Sequence, residues 1–232
     1  MLVLAFDTAT AAVTVALTEW TPGGVARPRA AAEATYARKH TEVLTPEIAR
    51  VLGEAGATPA DLSAIVVGVG PGPYTGLRVG LVTAHAMGKA LGVPVHGVCT
   101  LDAIAWESRR EEPFAVATDA RRREVYWARY DSYGRRVTEP AVGPAADVRA
   151  DVPDLPVIGE GAGLYADVLS DDGGPLVPSA VALAELAVER LSGRPGPALL
   201  PPEPLYLRRP DAKEPGPRKK VTESGPRKKV TR

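Results

Sequence analysis

The sequence predicts a mixed α/β fold built from two related lobes. Short apolar runs typical of buried strands alternate with stretches of helical periodicity. One such run, Leu2–Phe6, ends in Asp7, and a second, Phe114–Thr118, ends in Asp119 at the equivalent place. An alternating run starts six residues after each aspartate, which indicates a duplicated lobe.

The first half follows a βββαβα plan, a mixed sheet with helices against it. Three strands are predicted first, at Leu2–Phe6, at Val13–Leu17 and, after a turn at Pro22–Gly24, at Ala30–Tyr36. A helix over about Thr41–Glu54 follows, because its apolar residues recur at helical spacing. After a capping box at Thr58–Asp61, the remaining elements are a strand at Leu62–Val69, a helix over about Gly76–Leu91, a strand at Val93–Val98 and a helix from Thr100.

The second half restarts this plan in reduced form. The stretch Ala141–Pro156 is rich in Pro, Asp and Ala, and we expect it to be irregular. Helices are predicted near Gly163–Leu169 and over Ser179–Leu191. With a boundary near Arg110–Pro113, the predicted units are an N-terminal lobe (1–110), a reduced C-terminal lobe (111–212) and a basic tail (213–232).

The tail concentrates positive charge in a chain whose formal net charge is zero. From Lys213 onward there are eight basic and two acidic residues, so the tail carries +6 and the remaining body −6. The tail repeats one motif, at Glu214–Thr222 and again at Glu223–Thr231. It could make a weak electrostatic contact with RNA, or it could be a solvated extension produced by a short duplication.

The composition predicts a cytoplasmic protein. The single cysteine, Cys99, fits a reducing compartment. The apolar start has no basic segment and is interrupted at Asp7, so it resembles neither a signal peptide nor a membrane span.

A strand that ends in Asp-Thr-x-Thr is the first candidate site. Asp7, Thr8 and Thr10 would lie at a carboxyl end of the sheet, where α/β proteins bind ligands, and Asp119 is their counterpart in the second lobe. In an ATPase such an aspartate orients Mg²⁺ and the hydroxyls approach phosphates. Alternatively, these residues only hydrogen-bond the turn between two strands.

The second candidate is the loop Gly68–Arg78 and the helix after it. The loop matches neither GxxxxGK[ST] nor GxGxxG, and its prolines remove amide donors, so it is a poor phosphate cradle. Thr75 is a suitable N-cap for the helix. Gly80, Ala84 and Gly88 then form a stripe of small residues, which either admits a partner helix or packs on the protein's own sheet.

Metal and nucleophile chemistry finds no support in the sequence. The three histidines, His40, His85 and His96, show no HExxH motif and no paired spacing for zinc or iron. His96 is expected to be a satisfied core residue. There is no GxSxG motif either, so we predict no catalytic residues, no metal and no cofactor.

Several segments together resemble the TsaB (YeaZ) family. They are LAFDTAT from Leu4, KHTEVLTPEI from Lys39, GVGPGPYTGLRVGL from Gly68, TDARRREVY from Thr118 and LYLRRPDA from Leu205. Pro73 and Tyr74 stand where the family usually has Ser and Phe, and the basic tail lies outside the family pattern. The resemblance implies an actin-like/Hsp70-like (ASKHA, ribonuclease H-like) fold of two lobes.

The same resemblance implies a non-catalytic scaffold subunit for adding threonylcarbamoyl to adenosine-37 of tRNA. The implied partners are the catalytic paralogue TsaD and the ATPase TsaE, with tRNA reached only through the complex. In the family the first-lobe helices bundle with the partner, so the expected interface residues are Leu44, Ile48, Val51, Leu77, Gly80, Leu81, Ala84 and Gly88. The same face could instead serve a homodimer.

Two enzymatic alternatives remain open at this stage. A free-standing actin-like ATPase or kinase would use Asp7, Thr8 and Asp119 around Mg-ATP. A metallopeptidase is suggested only by a distant relation to glycoprotease-like proteins. For the scaffold, by contrast, Asp7, Thr8, Thr10 and Asp119 would be a vestigial nucleotide site.

Overall fold

The computed structural model describes residues 1–21, 26–35, 40–196 and 198–208, which form two β-sheets with helices packed around them. The predicted turn at Pro22–Gly24 and the predicted basic tail lie outside the described residues.

The first sheet has five strands. They are β1 (Leu2–Asp7), β2 (Ala12–Glu19), β3 (Arg27–Thr35), β4 (Leu62–Gly68) and β5 (Val95–Val98). Their spatial order is β3-β2-β1-β4-β5. The central strand β1 pairs with β2 in antiparallel and with β4 in parallel orientation, so that Phe6 lies opposite both Val15 and Val67.

The second sheet repeats the core of this arrangement. Its strands are β6 (Phe114–Asp119), β7 (Glu124–Tyr130), β8 (Ala141–Pro144) and β9 (Val157–Ile158). Their order is β8-β7-β6-β9, and β6 pairs with β7 in antiparallel and with β9 in parallel orientation, as β1 does with β2 and β4. The predicted two-lobe duplicated fold is therefore confirmed. Within the described ranges, no strand of the second sheet corresponds to β5.

Seven helices surround the sheets in the described part of the chain. They are α1 (His40–Glu54), α2 (Tyr74–Leu91), α3 (Thr100–Ser108), α4 (Ala145–Asp151), α5 (Glu160–Leu164), α6 (Ala166–Leu169) and α7 (Ala180–Leu191). A 3-10 turn at Pro59–Asp61 precedes β4, and its capping box is present as predicted. The Asp61 carboxylate accepts a 2.8 Å hydrogen bond from the Thr58 amide.

Both faces of the first sheet are covered, which explains why β1 is apolar throughout. Leu4 and Phe6 pack with residues of α1 and α2 on one face. The alternate residues Val3 and Ala5 pack with α7 on the other face. Although α7 follows the second sheet in the chain, it therefore contributes to the core of the first, and a division of the chain near residue 110 does not follow the packing.

Helix α3 connects the two halves of the molecule. Its residues Leu101 and Ile104 pack with Phe114 and Tyr130 of the second sheet. Ala103, on the same helix, belongs to the cluster beneath the first sheet. The two sheets thus share one helix in their cores.

Two sequence-based expectations about secondary structure are wrong. Ala141–Pro156 is not irregular, since it contains β8 and α4. Ala145, Val148 and Val152 recur at helical spacing and pack on the second sheet, which outweighs the high Pro and Asp content. Thr75 does not cap α2, because the helix begins at Tyr74, two residues before the predicted start at Gly76, with Pro73 at the N-cap.

Candidate functional site

Asp7 lies at the carboxyl end of β1, but its carboxylate is fully buried. One oxygen accepts a 2.7 Å hydrogen bond from the Thr100 hydroxyl, and the other accepts a 2.6 Å bond from the Ala9 amide. Gly68 on β4 is part of this packing, because a Cβ there would lie 1.7 Å from Asp7 Oδ2. The Asp7 carboxylate therefore joins β1, β4 and α3 in the core.

Burial raises the pKa of the Asp7 carboxyl from 3.8 to about 6. The hydrogen bonds from Thr100 and Ala9 and the nearby charge of His40 act in the opposite direction. Desolvation outweighs them because no compensating cation touches the carboxylate among the contacts of the described residues.

The neighbouring hydroxyls also have partners inside the protein. Thr8 Oγ1 donates to the Gly76 carbonyl at 2.8 Å and accepts from the Gly80 amide at 3.1 Å, which fixes the start of α2 against β1. Thr10 Oγ1 accepts a 3.3 Å bond from the Ala12 amide, as the turn interpretation predicts. Both hydroxyls thus have structural roles in this conformation.

Asp119 lies at the end of β6, in the second sheet. Its carboxylate accepts a 2.8 Å bond from the Arg121 amide and pairs with the Arg121 guanidinium at 3.1 Å. Arg121 also lines a cleft of about 260 Å³ together with Thr10 and His40. The structure therefore brings Thr10 and the turn after Asp119 to one cleft, whereas Asp7 and Thr8 are buried in the core.

The eight predicted interface residues are all buried in the chain's own core. They are Leu44, Ile48, Val51, Leu77, Gly80, Leu81, Ala84 and Gly88. The small-residue stripe packs on the first sheet, since a Cβ at Gly80 would lie 2.6 Å from Thr8 Oγ1 and one at Gly88 would lie 2.4 Å from Val95 Cγ2. In this structure the stripe therefore packs internally, as the alternative interpretation has it, and the assignment of the eight residues to a partner interface stays a prediction.

The outer face of the same two helices is open. Val82 is 65% exposed and Tyr74 is 40% exposed, both on α2. With Thr41 and Thr45 of α1 they border a groove of about 540 Å³ whose lining includes Leu44 and Val79. The spacing of apolar residues does not single out this face, because Val82 lies off the stripe of small residues at Gly80, Ala84 and Gly88.

The start of α2 also contacts the C-terminal segment, which the sequence did not indicate. The rings of Tyr74 and Tyr206 stack with centroids 5.1 Å apart. The Arg78 guanidinium lies 4.3 Å from the centroid of the Tyr74 ring, in cation–π contact. These contacts fix the position of the exposed Tyr74 at one end of the groove.

The histidines and the cysteine make contacts within the fold. Nε2 of His40 lies 2.8 Å from the Thr10 carbonyl, and Nε2 of His85 lies 2.8 Å from the Pro202 carbonyl. His96 is half-buried in β5 rather than a core residue, and burial lowers its pKa. Cys99 is buried, which raises the pKa of its thiol.

In the described ranges, no group of three or more His, Cys, Asp or Glu side chains is arranged to hold a metal ion. None of the helices in those ranges is both long and apolar enough to cross a membrane.

Comparison with known proteins identifies the family. A model of TsaD, the tRNA N6-adenosine threonylcarbamoyltransferase, matches residues 19–213. The Escherichia coli (strain K12) tRNA threonylcarbamoyladenosine biosynthesis protein TsaB is 31% identical over 229 residues, covering 90% of this chain and 95% of that protein. The chain belongs to the TsaD family, in its TsaB (YeaZ) branch.

Two further proteins are similar to the chain over most of its length. An uncharacterized protein of Mycobacterium tuberculosis (strain H37Rv) is 47% identical over 213 residues, covering 91% of this chain and 93% of that protein. A crystal structure from Pseudomonas aeruginosa, described as similar to peptidase YeaZ, superimposes with a TM-score of 0.72 at 31% identity. The match covers 89% of this chain and 99% of the Pseudomonas chain. The predicted family resemblance is confirmed.

Proposed function

We propose that this chain is a non-catalytic scaffold subunit for the synthesis of threonylcarbamoyladenosine in tRNA, and that it binds and activates a TsaD-type catalytic paralogue. The relatives named TsaB support the process, and the match to the TsaD model supports a paralogous partner. In this proposal a TsaE-type ATPase completes the assembly, and tRNA is reached through the complex.

The open groove between α1 and α2 is the observation on which the proposal rests. An exposed valine and an exposed tyrosine border it, and β-branched threonines line its walls. Among the described residues that line it, Arg78 alone is charged. Interfaces typically combine an apolar centre, an aromatic anchor and few charges, and this groove has that composition.

The burial and hydrogen bonding of the candidate nucleotide-site residues support the non-catalytic role. Asp7 and Thr8 are buried with hydrogen-bonding partners inside the fold, so neither is presented to a ligand in this conformation. The Asp119 carboxylate is paired with Arg121 in the turn that follows it. An ATPase would need these groups to reach Mg²⁺ and phosphate oxygens.

Co-purification with the TsaD-type partner tests the proposal. Wild type should co-elute, and Val82→Glu should weaken the complex at least tenfold, because it would bury a carboxylate in an apolar contact. Val137→Glu is the matched control, since Val137 is also exposed, at 53%, but lies away from the groove lining. Circular dichroism checks that both variants fold.

Other results of these experiments would overturn the scaffold proposal, relocate its interface or support an alternative. If wild type does not co-elute, the scaffold proposal fails. If Val82→Glu co-elutes like Val137→Glu, the α1–α2 groove is not the interface. ATP binding by the isolated chain, abolished by Asp7→Ala, would support the ATPase alternative. Light scattering on the isolated chain shows whether the same groove serves a homodimer, which Val82→Glu should then dissociate.

A further inference from the structure

The strap, residues 198–208, lies along the β5 edge of the first sheet. Two backbone hydrogen bonds of 2.9 Å join Leu200 to Gly97 on β5. A Cβ at Gly97 would lie 2.6 Å from a carbonyl oxygen of the strap, so the two backbones are in close contact. Further along, the Leu205 amide donates a 2.8 Å hydrogen bond to the Val69 carbonyl. The strap is therefore anchored to the first sheet at two places.

The strap also contacts the second half of the molecule. Leu200 and Leu205 pack against the core cluster of the first sheet, α1 and α2, and also against the cluster that α3 forms with the second sheet. Arg208 donates a 3.1 Å hydrogen bond to the Ala120 carbonyl, in the connection between β6 and β7. Because Tyr206 lies between the anchors at Leu205 and Arg208, its backbone has little freedom to move.

Tyr206 contacts the α1–α2 groove through Tyr74. The two rings stack with centroids 5.1 Å apart and planes 23° apart, and each tyrosine is 40% exposed. Tyr74 lines the groove at the start of α2, and Arg78, one turn further along the helix, contacts the same ring. The ring of Tyr74 is therefore held on the surface by one side chain of its own helix and by one side chain of the strap.

We propose that Tyr206 is a positioning residue for partner binding, because its stacking holds the Tyr74 ring in the orientation that the partner contacts. This inference rests on the proposed function, in which the α1–α2 groove binds a TsaD-type paralogue. Tyrosines are frequent among the few residues that carry most of the binding free energy of an interface. Fixing such a side chain before binding removes part of the entropy cost of association. The strap therefore increases affinity through Tyr74.

The affinity of the chain for the purified TsaD-type paralogue, measured by isothermal titration calorimetry, tests the inference. Tyr206→Ala should weaken binding about 3- to 10-fold, the factor expected when one more side chain must be immobilised on association. Tyr206→Phe keeps the stacked ring and should bind like wild type. Circular dichroism and urea denaturation check that both variants fold.

Tyr133→Ala is the matched control. Tyr133 is also an exposed tyrosine in cation–π contact with an arginine, Arg135, but it lies in the connection between β7 and β8, away from the groove. Its substitution should leave the affinity unchanged. A loss as large as that of Tyr206→Ala would overturn the inference, because the effect would then not depend on the position of the tyrosine.

A double-mutant cycle determines whether Tyr206 acts through Tyr74. Tyr74→Ala removes the ring that Tyr206 holds, so adding Tyr206→Ala to it should weaken binding by less than about twofold more. Additive losses would overturn the inference, since Tyr206 would then act independently of Tyr74. A loss in Tyr206→Phe equal to that in Tyr206→Ala would also overturn it, because stacking of the ring would not be the cause.

Fluorine NMR of the free chain detects the positioning itself. Fluorotyrosine labels the seven tyrosines of the chain, and Tyr74→Phe identifies the resonance of Tyr74. Tyr206→Ala should shift and narrow that resonance, because the ring loses its stacked neighbour and gains rotational freedom, and should leave the Tyr133 resonance in place. A Tyr74 resonance that does not change would overturn the inference.

Failure of this inference can be distinguished from failure of the proposed function. If wild type binds the paralogue and Tyr206→Ala binds it equally well, this inference alone is overturned. If wild type does not bind the paralogue, the proposed function is overturned and this inference with it.

Discussion

At the scale of single residues, the sequence around Asp7 fits two interpretations, a Mg²⁺ site and a structural turn. An aspartate at the end of a β-strand is typical of a Mg²⁺ site, and the sequence could not decide between that site and a turn. The deciding facts are its full burial and its hydrogen bonds with Thr100 and Ala9. Thr100 is 93 positions away along the chain, so no local pattern could have predicted the pairing.

The raised pKa of Asp7 predicts a specific pH dependence of stability. The folded carboxyl, with a pKa of about 6, binds its proton more tightly than the unfolded carboxyl at 3.8. Its contribution to stability is therefore fully present below pH 3.8 and is lost as the pH rises through about 6. A shift of roughly two pKa units corresponds to about 3 kcal/mol.

Asp7→Asn removes this titration. The free energy of unfolding of the variant, minus that of wild type, should therefore be larger at about pH 7 than at about pH 4 by roughly 2.4 kcal/mol. Urea denaturation at several pH values measures this difference. A difference that stays constant over the range would show that the pKa of Asp7 is not raised.

At the scale of elements, helix α2 has two faces with different roles. Its small residues Gly80, Ala84 and Gly88 pack on the first sheet, and Val82 lies on the open face. The sequence predicts the helix and the stripe, because both follow from spacing. It does not reveal whether the sheet or a partner covers the stripe, because either one would favour small residues.

Gly80→Ala should destabilise the fold by about 1–3 kcal/mol, because the new Cβ would lie 2.6 Å from Thr8 Oγ1. Gly53→Ala, in α1, is the matched control: a Cβ at Gly53 meets nothing within 4 Å, so the higher helix propensity of alanine should stabilise by about 1 kcal/mol. Urea denaturation of both variants tests this pair. Equal stabilisation by both would mean that the stripe is not packed on the sheet.

At the scale of the whole molecule, a buried network joins α3 to the second sheet. The Asp102 carboxylate accepts hydrogen bonds from the Tyr130 hydroxyl at 2.8 Å and from Arg136 Nε at 3.0 Å. Burial raises the pKa of Asp102, and Arg136 and Tyr130 oppose that shift. Because α3 also packs under the first sheet, the network helps to hold the two sheets together.

Arg136→Leu should destabilise the protein by about 3 kcal/mol near neutral pH, since it leaves a buried carboxylate without its cation. Arg29→Leu breaks an exposed pair with Glu19 and should cost less than about 1 kcal/mol. Thermal and urea denaturation of the two variants provide the comparison. Similar losses would show that the Asp102 network is no more important than a surface ion pair.

The duplicated plan was predictable from sequence because matched apolar runs end in Asp7 and Asp119. The placement of α7 was not, since its apolar face suits either sheet and only the assembled core shows that it packs with Val3 and Ala5. Helix α4 was missed for a related reason: its packing contacts outweigh a composition that favours irregular structure.

The central claim, a scaffold rather than an enzyme, is tested most directly by reconstituting threonylcarbamoyl transfer to tRNA with purified partner proteins. We predict that transfer requires this chain, that Asp7→Asn retains near wild-type activity, and that Val82→Glu loses at least tenfold. Loss of transfer by a folded Asp7→Asn variant that still binds the TsaD-type partner would contradict the account and assign Asp7 a catalytic role.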